Sequence, residues 1–458
     1  MKPELTLCYV NAERIGYGRL GINVAKALKA SGVDVFDDLR PPPDKARFGD
    51  QVKVNEDGHR HKVTNSVCWI SVPSHCPGWR EGQHPTLWTM WEATVLPETF
   101  REALHNFERV IVPSLHNVEL FSDFHDNVVY CPLGVDPDVW HYEARPEPGP
   151  FFNFMCAGSG IRKGPDVAAE AFAKAFPNPN AMDGPIPMLT LKLPKGEGDW
   201  STGENVQVAS GYIPAADEAA LYSQMHCYVQ PSRGEGFGLQ PLQAIAKGIP
   251  TILTDAHGHE AFSDLGWPVS ATLEEAAAFI YGDAGQWWEP SVDEVVDHMR
   301  WIYDHYDEAC AKARANAAVV AETFTWADVA AHFIEIMGDE LTTPFSGDPD
   351  VWIDPEYKKY EVVTTRTFQA DVAGVQYRWE PGTTYHEPAD VKRLLFEAGV
   401  LDPECLNDGG LTVKQTELIG AYTAAKAYCE SCGQRLNSVP TRADDMLDEM
   451  NAELEPAS

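Results

Sequence analysis

Short apolar runs alternate with amphipathic stretches along this chain, the alternation breaks at residues 143–150 (EARPEPGP), and then it starts again. No other feature constrains the fold as tightly. A buried apolar run followed by a stretch of helical period, repeated, reads as parallel strands with helices on both faces of the sheet. In the first half, residues 5–10, 67–71, 86–90 and 109–112 read as strands and residues 18–30 as a helix with apolar positions at Leu20, Val24, Ala27 and Leu28. Further helices follow Pro97 and Ser114, the latter a residue type suited to capping. In the second half, residues 152–157, 188–192, 206–210, 227–230 and 251–254 read as strands and 165–176, 216–224 and 239–247 as helices, followed by an almost wholly helical stretch at 292–337. Pro165 opens its helix at a position where the missing N–H costs nothing. The fold class expected is α/β, with two doubly wound, Rossmann-like domains at 1–145 and 150–322 joined by a Pro- and Gly-rich linker.

A length of 458 residues fits two or three domains, and 44% hydrophobic content is ample for their cores. Beyond residue 340 the character changes. Residues 341–358 read as a Pro- and Asp-rich linker, 359–402 as a small β-rich unit with a short helix near its end, 411–432 as a helix, and 433–458 as an acidic, disordered or loosely docked tail. The charge is lopsided, 35 Lys and Arg against 69 Asp and Glu for a net −34. Such a surface repels phosphate backbones and anionic lipid headgroups, so a soluble partner is favoured over bare DNA or a membrane. No run of about 18 apolar residues is present, and the N-terminal stretch lacks the apolar core of a signal peptide. Cys8, Cys68, Cys156 and Cys227 lie inside apolar runs and read as buried free thiols of a cytoplasmic protein. Cys429 and Cys432 form a lone CxxC with no second pair, more often structural than a metal or redox site.

The densest chemistry lies in residues 230–260, QPSRGEGFGLQPLQAIAKGIPTILTDAHGHE. A strand ends at Gln230, a turn holding Gly234, Gly236 and Gly238 follows, and a helix begins near Leu239. Glycines let the backbone approach a ligand closely, and the helix N-terminus offers unpaired N–H groups to an anion or a hydroxyl. Glu235 and Gln243, eight positions apart, can face one cleft. Taken alone, such a turn is more often tight packing than a binding loop. The whole segment, however, resembles the donor-site signature of family 4 glycosyltransferases: a Glu in an EGFG turn, an acidic residue eight positions later, and a GxP start to the next strand. The resemblance implies a GT-B fold. It also implies that Glu235, with the turn residues Gly236, Phe237, Gly238 and Leu239, holds the donor sugar, that Gln243 meets the nucleotide ribose, and that Glu260 belongs to the same donor site. Gln243 stands where the family has Glu, so the ribose contact would lack a charge.

Two further segments carry the resemblance. Residues 158–164 (GSGIRKG) are similar to the family loop whose Arg and Lys neutralise the donor diphosphate. Lys163 fits the lysine, Ser159 falls where the arginine is expected, and Arg162 is the available substitute. Gly16-Tyr17-Gly18-Arg19 resembles the glycine loop of the first domain, implying donor contacts by Gly16, Gly18 and Arg19. Thr325-Trp326 resembles the start of the family's crossover helix, placed here at 323–340. The family implies transfer with retention of configuration from a nucleotide-sugar co-substrate, and no metal is expected. Asp136-Pro137-Asp138 and Asp348-Pro349-Asp350 match DxD formally, but neither follows a strand of a nucleotide domain. Where many members carry a first-domain histidine, this chain has Trp88-Thr89-Met90-Trp91-Glu92. Glu92 and His75 are therefore the candidates for orienting the acceptor or the sugar, although a lone loop histidine is more often structural. Residues 360–400 resemble small β domains of tailed-phage proteins, implying a phage-encoded enzyme and a protein acceptor such as a virion protein. The alternatives are hydroxylated bases of phage DNA, or a non-catalytic nucleotide-sugar or glycan-binding module.

Overall fold

The computed structural model describes residues 2–9, 16–38, 63–76, 78–158, 160–193, 205–211, 213, 215–276, 284–353, 360–365, 368–372, 375–387 and 395. In the first half run β1 (Glu4–Tyr9), α1 (Gly16–Ala30), β2 (Asp34–Asp38), β3 (Ser66–Ile70), β4 (Trp79–Arg80), β5 (His84–Trp88), α2 (Glu98–Leu104), β6 (Arg109–Val112), α3 (Leu115–Ser122) and β7 (Val128–Tyr130). Six of these strands form a parallel sheet ordered β2-β1-β3-β5-β6-β7. β3 is buried at all five positions, as a central parallel strand covered on both faces should be. Ser114 caps α3 by accepting a hydrogen bond from the Asn117 N–H.

The second half repeats the plan with β8 (Phe151–Ala157), α4 (Pro165–Ala175), β9 (Ile186–Leu193), β10 (Val206–Ser210), α5 (Ala215–Ser223), β11 (Cys227–Gln230), α6 (Leu239–Ala246), β12 (Thr251–Thr254) and β13 (Trp267–Val269). Its parallel sheet is ordered β10-β9-β8-β11-β12-β13. Phe154, Leu189, Leu191, Val229 and Ile252 from the strands pack with Ala168 and Phe172 of α4. β14 (Ala271–Glu275) and β15 (Gln286–Pro290) then form an antiparallel ladder.

Residues 292–337, read as almost wholly helical, are three helices: α7 (Val292–Asp304), α8 (Tyr306–Thr323) and α9 (Trp326–Met337), the last lying within the crossover helix read at 323–340. The second break has a clear cause. The side chain of Thr325 accepts from the Asp328 N–H while the Asp328 carboxylate accepts from the Thr325 N–H, a capping box that restarts the helix at Trp326. α9 crosses back to the first domain, where Phe333 stacks on Trp88 at 5.6 Å. The crossing brings backbones together, because a Cβ on Gly134 would lie 2.4 Å from the carbonyl carbon of Thr325.

Two connecting stretches are less free than linker composition suggests. In the first, Lys247 at the end of α6 is fully buried and donates to Glu143 at 2.6 Å, while Arg145 donates to the Met225 carbonyl. In the second, read as linker at 341–358, β16 (Trp352–Ile353) pairs antiparallel with β4, so this strap docks on the first domain. Beyond it, β17 (Tyr360–Val363) pairs with β20 (Thr384–Glu387), and β18 (Phe368–Val372) with β19 (Val375–Trp379). The expected helix at 411–432, the tail at 433–458 and the Cys429/Cys432 pair lie outside the described residues. Cys8, Cys68, Cys156 and Cys227 are buried free thiols. No helix among the described residues is long and apolar enough to cross a membrane.

Candidate functional site

The site is built where the loop after β8 meets the turn after β11. That loop ends in a single helical turn, Ile161–Lys163, closed by Gly164 in the left-handed region at φ +73°. A Cβ on Gly164 would lie 2.0 Å from the Pro231 carbonyl oxygen, so glycine alone lets the two loops touch. Lys163 Nζ reaches both carboxylate oxygens of Glu235 at 2.6 Å. Arg162 donates to the Gly234 carbonyl and lies 3.7 Å from carboxylate oxygens of Glu235 and of Glu92. Burial alone would push the Glu235 carboxyl up, but Lys163, Arg162 and His259 outweigh it and hold the group ionised, well below the usual carboxylate range. Burial draws the Lys163 ammonium down, against Glu235.

A buried hydrogen-bond chain fixes both partners. The Tyr228 hydroxyl donates to Gln230 Oε1 at 2.8 Å, and Gln230 Nε2 donates to the Lys163 carbonyl and to Ser232 Oγ, each at 2.9 Å. Because an amide nitrogen can only donate, the Ser232 hydroxyl proton goes to Glu235 Oε1, at 2.9 Å. Next to this chain Arg233 is clamped by Asp166 and Glu289 and donates to the Ile161 carbonyl.

The first domain closes over the turn. A Cβ on Gly234 would lie 1.9 Å from the Glu92 carbonyl oxygen, and one on Gly236 would lie 2.6 Å from Met90. Asn117 holds Trp91 by two backbone hydrogen bonds, at 2.7 and 2.8 Å, and the Tyr17 hydroxyl donates to the Met90 carbonyl at 3.2 Å. Arg19 pairs with the buried Glu218 of α5 at 2.8 Å, a link between the two domains. Every one of Arg19, Arg162, Lys163 and Arg233 is thus matched by at least one carboxylate.

The structure therefore brings together Glu235, Lys163, Arg162, Glu92 and Gly236. Gly16 opens α1 and Gly18 is buried within it, while Arg19 is engaged by Glu218. Phe237 is buried against Phe262, which makes it a core residue of the turn. Gly238, at φ +101°, starts α6, whose first residue is Leu239. Gln243 is buried, and its Oε1 has no hydrogen-bond partner within the protein. Glu260 is not part of the group. Its side chain is exposed to solvent on one side, and partial desolvation with the nearby Asp255 and Glu119 charges raises its carboxyl. In the same turn His257 sits at φ +51°, and His259, next to Glu260, is fully buried. His75 ends a short helical turn, Pro73–His75, but its side chain, like Ser159, lies outside the described residues.

Sequence reasoning missed Gln230, Ser232 and three histidines. His257 and His259 are fully buried, and each donates one ring N–H to a carbonyl, Ser232 at 3.1 Å and Thr254 at 3.2 Å. His257 Nδ1, His259 Nε2 and Nε2 of His116 on α3 have no partner within the protein. The rings of His116 and His257 both contact Trp288, at 4.8 and 5.5 Å. A buried polar atom without a partner costs about 1–3 kcal/mol. Two histidines flanking a glycine just before Glu260 were the available signal.

Buried histidines also set a pH dependence. His226 and His259 are each lowered by burial from 6.5 to about 4. The unfolded chain takes up protons that the folded chain refuses, so stability is fully present above about pH 6.5 and is lost as pH falls towards 4. The loss is up to about 1.4 kcal/mol per pH unit per histidine. Urea unfolding at about pH 7 and pH 5 is expected to show this drop, and His226→Gln to remove part of it.

Comparison with known proteins bears on the fold. The chain aligns with a sucrose-phosphate synthase from Thermosynechococcus elongatus at a TM-score of 0.54 and 15% identity, over 73% of this chain and 98% of that one. It aligns with HepE from Anabaena, solved with UDP and glucose, at a TM-score of 0.51 and 13% identity, over 73% and 99%. The fold is GT-B. Residues 113–333, just under half of this GT-B chain, match the family described as family 4 glycosyltransferase in conflict systems, a segment that contains Lys163, Glu235 and Gln243. The lipopolysaccharide core biosynthesis mannosyltransferase LpsB of Rhizobium meliloti (strain 1021) is 42% identical over 62 residues, 14% of this chain. A putative glycosyltransferase of Sulfolobus islandicus filamentous virus (isolate Iceland/Hveragerdi) is 29% identical over 101 residues, 21% of this chain. These matches span 16% and 30% of the relatives' own lengths.

Proposed function

We propose that this chain is a retaining glycosyltransferase that moves a hexosyl group from a nucleotide-sugar to a protein acceptor. The observation that carries the reading is the Lys163–Glu235 pair, held with Arg162 between two loops of a nucleotide-type sheet, inside the segment that matches the glycosyltransferase family. On this reading the donor diphosphate takes Lys163 and Arg162, which frees Glu235 to accept hydrogen bonds from the sugar. Gln243 accepts from the ribose. Amides at Gly236 and the start of α6 add partial positive charge. The bond from the anomeric carbon to the diphosphate breaks, and the acceptor oxygen bonds to the same face of that carbon. The acceptor proton passes to the leaving phosphate oxygen. Glu92, 3.7 Å from Arg162, orients the acceptor. No step is assigned to a metal.

The choice of a protein acceptor over DNA rests on charge. The net −34 leaves little attraction for a phosphate backbone. The viral relative supports a phage or other viral setting. The test is nucleotide release from UDP-, GDP-, ADP- and TDP-sugars, each alone, with virion proteins, or with DNA carrying hydroxylated bases. One donor is expected to release its nucleotide, fastest with protein present, and Glu235→Ala to abolish the release. Acceleration by the DNA would replace the acceptor assignment. A folded protein that binds a donor without releasing nucleotide under any condition would make this a binding module.

A further inference from the structure

The Glu92 carboxylate is placed by its backbone. Among the described residues it has no hydrogen bond, and its ion-pair neighbour Arg162 stands off at 3.7 Å. A side chain held so loosely follows the main chain on either side of it. On one side that chain is tied to the first domain, because Asn117 of α3 closes two hydrogen bonds on Trp91. On the other side it is tied to the second domain. The Thr94 N–H donates to the Gln286 carbonyl and the Val95 N–H to the Ala284 carbonyl, each at 3.0 Å. The Gln286 N–H donates back to Thr94 Oγ1 at 2.7 Å. Three glycines of the second domain receive this segment. A Cβ on Gly285 would lie 2.5 Å from Val95 Cγ2 and 2.7 Å from Thr94 Oγ1, and Gly234 and Gly236 admit Glu92 and Met90 in the same way. The strand that receives Thr94 is also anchored to the glycine turn. The Trp288 N–H donates to the Arg233 carbonyl at 2.9 Å, and Glu289 is one of the two carboxylates that clamp Arg233. The hairpin strand β15 and its lead-in thus grip the turn carrying Glu235 through residues 288–289 and the segment carrying Glu92 through residues 284–286.

We propose that Thr94 is a positioning residue for Glu92: by accepting from the Gln286 N–H, it makes the second domain set where that carboxylate sits. The inference rests on the acceptor-orienting role proposed for Glu92. Glu92 is then in register with Glu235 only while residues 94–95 lie against residues 284–286, so the acceptor oxygen is oriented only when the two halves are closed. Valine has nearly the shape of threonine but no hydroxyl. Thr94→Val therefore leaves the Gln286 N–H without its acceptor and loosens the main chain two residues from Glu92. A small misplacement of a group that orients a reactant lowers the rate of the chemical step without removing any contact to the bound donor.

The test uses the full chain with whichever nucleotide-sugar and acceptor, among the UDP-, GDP-, ADP- and TDP-sugars and the virion proteins or DNA, release nucleotide fastest. Thr94→Val is expected to lower kcat about 10-fold with the donor KM within about twofold. Thr94→Ser, which keeps the accepting oxygen, is expected to stay within about threefold of wild type. Glu92→Gln is expected to lower kcat at least as far as Thr94→Val. The double variant should fall no further than Glu92→Gln alone, because Thr94 acts through Glu92. A residue that only braced the fold would multiply its loss with that of Glu92→Gln. If Thr94→Val stays within about twofold of wild type, or if the two losses multiply, the proposal is overturned while Glu92 keeps its role. An unaffected Glu92→Gln removes that role and the proposal with it. No nucleotide release from any donor removes the transferase reading, and the proposal again falls with it. Should Thr94→Val fail to fold, hydrogen exchange on the wild-type chain decides. Slow exchange at residues 94, 95 and 286 together is expected, and complete exchange within seconds would show that the second domain does not hold the segment.

Discussion

Lys163→Met is expected to reduce donor turnover about 10²–10³-fold, the loss typical of removing one group that stabilises developing charge. The same substitution should lower the unfolding free energy by about 3 kcal/mol, because it strands a buried carboxylate. Glu235 is 5% exposed, and Arg162 at 3.7 Å is too far to replace a contact of 2.6 Å, although it keeps the loss at the lower end of that class. Glu235→Gln in the Lys163→Met background removes the stranded charge. Urea unfolding is therefore expected to recover most of the stability in the double variant, while nucleotide release stays as low as in the single one. Such a split separates a charge needed by the donor from a pair that only holds two loops together. Turnover within threefold of wild type in the single variant would remove Lys163 from the proposed chemistry.

The second large effect is expected at Gly164. Alanine there meets two penalties at once, a left-handed backbone at φ +73° and a Cβ 2.0 Å from the Pro231 carbonyl oxygen. Together they should cost about 2–4 kcal/mol and push Lys163 away from Glu235, with turnover falling about 100-fold. Gly160 supplies the control. It has φ +70° with ψ 167°, a region essentially reserved for glycine, and nothing within 4 Å of its Cβ position, so Gly160→Ala should carry a backbone cost alone, about 1–3 kcal/mol. Equal effects at the two positions would show that the contact with Pro231 is unimportant.

Parts of this architecture were legible before any coordinates. The strands at 109–112, 206–210, 227–230 and 251–254 match their sequence readings to the residue, because short runs bounded by polar residues, proline or glycine leave little choice of ends. β2 (DVFDD), β13 (WPV) and β14 (ATLEE) escaped notice, since acids, a proline or an exposed face mask the apolar signal and partners distant in sequence decide the pairing. The strap at β16 escaped for the same reason. At the site, Glu235, Lys163 and Arg162 were readable from their motifs. Their mutual contact spans 72 positions and was not. Gln230 and Ser232 look like ordinary residues at a strand end, and their role appears only when a loop 67 positions away lays its carbonyl against Gln230. Glu260 drew attention from its chemistry, yet it is exposed while His259 beside it is fully buried.

The ion pair between Lys247 and Glu143 has a mechanical consequence. α6 carries the glycine turn at its first residue and is gripped by the interdomain segment just after its last, about 12 Å away at 1.5 Å per residue. The clamp ties residues 143–145 to the second half of the molecule. Any swing that opens the cleft therefore has to pivot on the first-domain side of this clamp, before Glu143, and at the break between α8 and α9, leaving the glycine turn in register with its own sheet while the covering half moves.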